Sequence, residues 1–518
     1  MSKKLVIGGI LIGLSVVTAV GMQFIKTEKQ EELTNMSSDT ARYDHTVTIY
    51  KDSFEGYRIG CSDYMESLLR RSRIRLNCVD DGADYGERME ALKSGKADFA
   101  FLELGAYTIE GEKYNYPASI IAVTDTSKGA DAIIANKNKF TSLEELRNAP
   151  NTQIGVTLNS PSDVFGKITA THFDLEALKN NKNYVNANGS EDVMKRMFRG
   201  DIDVGIVWEP HVSKLLSTGD YVKLVSTAEA QDTIVDALAV NREYGEKNPD
   251  MVKTVLSAYF KSLKHYKDNP QELVSEIMSD PINSGMKEKE VKEMISGINW
   301  INLNENCKRW FACDPTDWAA KVKIVDTLEM ANKIWYEFGE LDPNAFPNED
   351  AYTLINSEFM HDLLKNGVGI YSDEEIVNSL ERDFSELTDS QWASLKEFGK
   401  LKQRGILFQK GNKLRLTSRE AIDEVAKDLE HYPNYRLRIE GHTGTLGDEI
   451  RNKTISEERA KWVKRYLVQT YNVDSDRIQA IGYGGDKPLK KQSGESDFSK
   501  SYQSRLARVS IVLVQEEY

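Results

Sequence analysis

The sequence predicts an α/β chain in two parts, and three patterns carry that expectation. Short apolar strand-like runs alternate with helix-length segments from Thr46 onward. A smaller α+β succession of strands and helices occupies residues 401–518. One long apolar run, Leu5 to Ile25, precedes both.

With 518 residues the chain has room for about two to four domains with their own cores. A mean hydropathy of -0.50 and 40% hydrophobic residues describe a soluble body. The net charge of -14 is unevenly placed. Residues 401–518 hold 22 Lys and Arg against 17 Asp and Glu, which leaves 45 against 64 for residues 1–400. An acidic body of this kind argues against nucleic acid as a partner.

Leu5 to Ile25, as a helix, spans about 31 Å, one bilayer core. Lys3 and Lys4 before it predict an N-terminus inside and residue 26 onward outside. A single transmembrane anchor over residues 1–25 is therefore expected. A cleaved signal peptide is the competing reading, with Ala19-Val20-Gly21 as a small-residue site. Residues 26–44, rich in Glu, Lys, Ser and Thr, read as a polar linker.

The strand-like runs that follow are Val47–Tyr50, Phe99–Leu102, Ile120–Val123, Ala132–Ala135, Ile154–Val156, Val204–Val207 and Leu238–Val240. Ligands in open α/β sheets bind beyond the carboxyl ends of strands. Glu103, Asp125 and Glu209 sit just past such runs and Asp236 just past Thr233–Val235, with Trp208 and Tyr57 as aromatic faces. Carboxylates gathered in a desolvated cleft favour a cationic or amine-bearing ligand. Against that, Ser160-Pro161-Ser162 opens a helix directly after a strand, and free N–H groups with the Ser160 and Ser162 hydroxyls suit an oxyanion. The charge of the solute stays open at this point.

Four cysteines, Cys61, Cys78, Cys307 and Cys313, are an even number for an oxidising compartment. Pairing by proximity joins Cys61 to Cys78 and Cys307 to Cys313, with buried reduced thiols as the alternative. No His pair has metal-ligand spacing, and no nucleophile elbow or phosphate loop is present, so neither a metal, a cofactor nor an enzymatic activity is expected.

Four stretches in order, Ala91–Ala100, Thr141–Leu146, Gly200–Pro210 and Asn248–Lys253, resemble periplasmic substrate-binding proteins of ABC importers, in the branch of sulfonate, nitrate and thiamine-precursor binders. The resemblance implies a two-lobed type II periplasmic binding protein fold over residues 45–367, joined by two crossing strands, with ligand between the lobes. The first lobe is expected at about 45–125 plus 235–367 and the second at about 130–230. Residues 368–400 are expected as a helical linker, its helix running from Ser385 to Lys402.

In the tail, a helix is expected over Ser418–Glu430 and a strand over Arg436–Glu440, followed by Gly441-His442-Thr443-Gly444 and a helix bearing Asn452, Ser456, Arg459 and Ala460. These residues resemble the OmpA-like peptidoglycan-binding domain. In that family an Asp in the Gly-His-Thr-Asp loop and an Arg in the helix hold the diaminopimelate of the peptide stem. Here Gly444 stands at the Asp position. Asp448 is a substitute or simply a first-turn acid, and Arg508 falls in the family's later basic motif. The implied wall-binding set is Thr443, Asp448, Asn452, Arg459 and Arg508.

The implied protein is a non-enzymatic envelope protein of a Gram-negative-type cell. It is anchored in the inner membrane with residues 26–518 in the periplasm, captures or senses a small solute, and is tethered to peptidoglycan, with an inner-membrane permease or signalling protein as partner. The alternative is a passive scaffold in which the binding-protein fold serves as a spacer.

Overall fold

The computed structural model describes residues 43–313, 322–366, 384–402, 406, 408 and 416–515. The expected anchor at Leu5 to Ile25 and nearly all of the 26–44 linker lie outside these. Among the described residues no helix is long and apolar enough to cross a membrane.

Among the described residues fifteen strands fall in three sheets. In chain order they are β1 (His45–Lys51), β2 (Ile74–Asp80), β3 (Phe99–Glu103), β4 (Ala118–Ser127), β5 (Asp131–Asn136), β6 (Ile154–Val156), β7 (Tyr184–Asn186) and β8 (Val204–Trp208). There follow β9 (Tyr221–Ser226), β10 (Val235–Asn241), β11 (Ile298–Trp300), β12 (Lys396–Lys400), β13 (Arg436–Gly441), β14 (Ile478–Gly482) and β15 (Val509–Gln515). Five helices matter for function: α1 (Leu104–Lys113), α2 (Pro161–Phe173), α3 (Lys323–Glu337), α4 (Leu416–Glu430) and α5 (Glu449–Tyr471).

The first lobe is a six-stranded sheet in the order β11-β4-β10-β3-β1-β2, and the second a five-stranded sheet in the order β7-β6-β8-β5-β9. The chain crosses between them twice, from β4 into β5 and from β9 into β10. Buried on both faces, these strands read as continuous apolar runs, such as Phe99–Leu102 and Ile120–Val123, all fully buried. At the crossing, Ser127 Oγ lies 2.7 Å from Thr227 Oγ1, which also accepts from Gly129 N at 2.8 Å. Gly129 has φ of 116°, a conformation that suits glycine.

Behind the cleft the lobes are packed together. Ile109 of α1, Val164 and Ile168 of α2, and Ile334 and Trp335 of α3 form one buried apolar cluster. The Trp335 indole N–H donates to Gly105 O at 2.9 Å in the first lobe, while its ring lies 4.4 Å from Lys167 Nζ in the second. Lys167 is buried and paired with Asp163 and with Glu340. Thus α3 straps both lobes in a closed arrangement.

The third sheet, β12-β15-β13-β14, carries α4 and α5. The helix expected over Ser385 to Lys402 is not found: a short helix, Asp389–Ser394, is followed by strand β12, antiparallel to β15. Phe398 explains the difference. Its ring meets Tyr435 at 4.6 Å and Phe173 of the second lobe at 5.8 Å, so Lys396–Lys400 presents one apolar side chain inward in strand fashion. Strand β12 thus joins the third sheet as its edge beside β15. The core of the C-terminal domain is continuous with that of the second lobe through Phe173, Tyr432 and Tyr435.

Disulfides join Cys61 to Cys78 and Cys307 to Cys313.

Candidate functional site

Between the lobes lies a small cavity lined by Asp52, Phe54, Tyr57, Tyr85, Asp131, Ser160, Trp208 and Asp236 among others. Both lobes and both crossings contribute. Asp52 and Phe54 follow β1, Tyr85 follows β2, Asp131 opens β5, Trp208 ends β8 and Asp236 lies at the start of β10.

Of the residues expected from sequence, Tyr57, Ser160, Trp208 and Asp236 line this cavity together. The Tyr57 hydroxyl donates to Asp236 Oδ1 at 2.5 Å, and its ring stacks on Phe101 at 4.9 Å. Asp125 is fully buried, pairs in register with Asp236 and has one oxygen, Oδ1, without a hydrogen-bond partner. Burial pushes its carboxyl up to about 8, and burial with the Asp125 charge raises Asp236 well above the usual carboxylate range.

The other expected residues serve the frame. Glu103 caps α1, accepting from Gly105 N at 2.9 Å and Ala106 N at 2.7 Å, and burial pushes it up to about 7. Glu209 accepts from Ser213 N at 3.1 Å and Ser213 Oγ at 2.7 Å at the start of the next helix. Ser160 stands at the N-cap position of α2, yet its hydroxyl donates to Thr157 O at 2.6 Å instead of capping. The Ser162 hydroxyl is fully buried and has no partner.

Asp52, Phe54, Tyr85 and Asp131 were not singled out from sequence. Asp52 and Phe54 follow the carboxyl end of β1, so the strand-end rule that selected Asp125 reaches them too. Asp131 escapes that rule because it begins an antiparallel strand directly after the hinge. Burial pushes it up to about 7. The buried Arg88 donates to Asp81 at 2.6 and 2.7 Å, to the cavity residue Asp52 at 3.0 Å and to Phe101 O at 2.8 Å.

A second site is expected on the C-terminal domain. Arg459 on α5 is half-buried, its Nε has no hydrogen-bond partner among the described residues, and its guanidinium lies 5.1 Å from the Phe408 ring centroid. Burial alone lowers its pKa. Asn452 donates to Leu446 O at 3.0 Å and so shapes the preceding loop. Asp448 is exposed and caps α5, accepting from Arg451 N at 2.7 Å. Eleven residues of helix, about 16 Å, separate it from Arg459. Thr443 N donates to Gly484 O at 2.8 Å. Arg508 is buried and spends its donors on Leu506 O at 3.1 Å and Lys487 O at 3.0 Å.

The loop at Gly444 is closed by another side chain. Gln503 Oε1 accepts from Thr445 N, and Gln503 Nε2 donates to Thr445 Oγ1, both at 2.9 Å. A Cβ at Gly444 would lie 2.2 Å from that Oε1. Nearby, Gly441 and Gly482 let α5 approach the sheet: a Cβ at Gly441 would lie 1.9 Å from Ser456 O.

Two lobes around one cleft, followed by this sheet and helix pair, define a periplasmic binding protein fold joined to an OmpA domain. Residues 76–273 match the family model described as NMT1/THI5 like, and residues 407–501 match that of the OmpA family. The outer membrane protein Omp38 of Acinetobacter baumannii is 44% identical over 68 residues, 13% of this chain, which spans only about a fifth (19%) of that protein. A peptidoglycan-associated lipoprotein of Buchnera aphidicola subsp. Baizongia pistaciae is 28% identical over 135 residues, 26% of this chain and 72% of the relative. The crystal structure of the periplasmic aliphatic sulphonate binding protein SsuA from Escherichia coli overlays with a TM-score of 0.47 at 14% identity, covering 60% of this chain and 92% of that one.

Proposed function

We propose that the chain is a non-enzymatic, membrane-anchored solute receptor of the periplasm, held to peptidoglycan through its C-terminal domain. One observation carries the receptor reading: a cavity walled by both lobes and aligned with both crossings, where closure and occupancy are coupled. The wall tether is supported by the OmpA match and by Arg459, whose fork suits a stem-peptide carboxylate. A permease or signalling protein of the inner membrane is the partner such a receptor serves.

The strap formed by α3 favours a second reading. With Trp335, Val164 and Ile109 packed across the lobes, the body also suits a passive spacer. Thermal shift of the full chain across amines, phosphate and sulfonates separates the two, because a receptor gains stability with its ligand. Peptidoglycan pull-down of Arg459→Ala against wild type tests the tether. Equal retention of both would remove Arg459 from the grip.

A further inference from the structure

Resting on the receptor reading, we propose that the cleft selects a small organic cation, a quaternary or protonated amine, and rejects the anions that a sulfonate-type cleft would hold. The walls carry four aromatic rings, Phe54, Tyr57, Tyr85 and Trp208, and three carboxyl groups, Asp52, Asp131 and Asp236, with no Lys, Arg or His among the lining residues; the Tyr85 ring already has the Arg88 guanidinium 4.7 Å from its centroid, which leaves Phe54, Tyr57 and Trp208 for a ligand. Aromatic faces attract cations through their ring quadrupoles, most strongly where water is excluded.

The charge balance points the same way. Among the described residues Arg88 is the base bonded to the carboxyl cluster, and its donors go to Asp81, Asp52 and Phe101 O. Two carboxylates against one guanidinium leave that group acidic. Asp236, Asp125 behind it, and Asp131 have no basic side chain bonded to them, and the buried Asp125 Oδ1 has no hydrogen-bond partner. In the empty cleft burial raises the carboxyl groups of Asp125 and Asp131, which favours their protonated forms. A bound cation supplies the missing counter-charge and lets them ionise.

An anion finds the opposite conditions. The N-terminus of α2 offers backbone N–H groups, but the Ser160 proton is already given to Thr157 O. A sulfonate or phosphate there would sit beside Asp131 and Asp236 with no guanidinium or ammonium to balance it. The helix terminus and the Ser162 hydroxyl would be all that offsets the desolvation of the anion, with no counter-charge beside it.

The test uses the full chain and three matched probes: choline, its uncharged carbon isostere 3,3-dimethylbutan-1-ol, and ethanesulfonate. Benzyltrimethylammonium and benzenesulfonate extend the pair to aromatic compounds. Melting temperature and calorimetric titration should show binding of the ammonium compounds at least tenfold tighter than of the isostere, and none of the sulfonates. Affinity should rise as pH increases from 6 to 8, and fall at least tenfold in Asp236→Asn and in Trp208→Ala, each checked for native circular dichroism. Preferential binding of a sulfonate overturns the cation inference while leaving the receptor reading intact. Ammonium binding unchanged in both variants places the cation outside the cleft and also overturns it. If no probe of any charge binds, the cation inference falls and the spacer reading gains.

Discussion

Gln231 and His431 exchange two hydrogen bonds across the boundary between the lobes and the C-terminal domain: Gln231 N donates to His431 O at 2.7 Å, and His431 Nδ1 donates to Gln231 O at 2.8 Å. Gln231 lies on the second crossing, between β9 and β10. Its neighbour Asp232 is buried and holds Lys323 at 2.5 Å and Arg309, so the crossing is clamped from both sides. The hinge between the lobes is thereby tied to the OmpA domain.

Acid should loosen this tie. Burial holds His431 down at about 4, with the charges of His172 and Lys323 adding to the shift and Asp232 opposing it. A histidine depressed in the fold contributes stability that is complete above its ordinary value near 6.5 and is lost as pH falls toward 4. The shift corresponds to about 3 kcal/mol. His431→Gln, which keeps an amide donor, should flatten the fall in melting temperature between pH 6.5 and 4. An unchanged slope would assign that acid sensitivity to other groups.

The carboxyl groups of the cleft titrate in the other sense. Asp125 is raised to about 8, so its protonated form favours the fold, and the empty protein loses stability as pH rises toward and through 8. Asp125→Asn keeps the shape and removes the charge. It should stabilise the ligand-free chain at pH 8 by roughly 1–3 kcal/mol. Thermal melts at pH 6 and pH 8 check this, and a variant less stable than wild type at pH 8 would contradict it.

The Cys61–Cys78 bridge ties the short helix carrying Tyr57 to β2, which leads to Tyr85, with a sequence separation of 17. Closing a loop of that size is worth about 3 kcal/mol in the chain-entropy account. Cys61→Ser with Cys78→Ser should lower stability by that order, read by denaturant titration. It should also weaken solute binding, because two lining aromatics lose a shared anchor.

Much of the architecture was legible in the sequence because it rests on periodic apolar runs: the buried strands at Phe99–Leu102 and Ile120–Val123, and the OmpA stretch with Ala460, Val463 and Leu467 on the buried face of α5. The cleft was legible in part, since the strand-end rule finds acids without saying which way they face. Glu103 satisfies the rule and turns to cap α1, whereas Asp131 breaks it and lines the cavity. Strand β12 was misread because five residues with a single inward ring carry too little periodicity to oppose the helix-like sequence before them. The strap of α3 across both lobes has no sequence signal, since it depends on where Trp335 meets Gly105 and Lys167.

The missing acid of the wall site can be restored and measured. At Gly444 a side chain would clash with the far end of Gln503, and moving that amide costs its bonds to Thr445 and to Asp497 O. Gly444→Asp should fold at that cost, and it places a carboxylate in the loop next to Thr443, where Asp448 is occupied as the cap of α5. A charge-assisted contact is worth about 1.5–3 kcal/mol, so retention on peptidoglycan should rise on the order of tenfold. Gly444→Asp with Gln503→Ala frees the position fully and should bind at least as well as the single variant. If neither change raises retention while Arg459→Ala lowers it, the wall is gripped through the stem carboxylate alone.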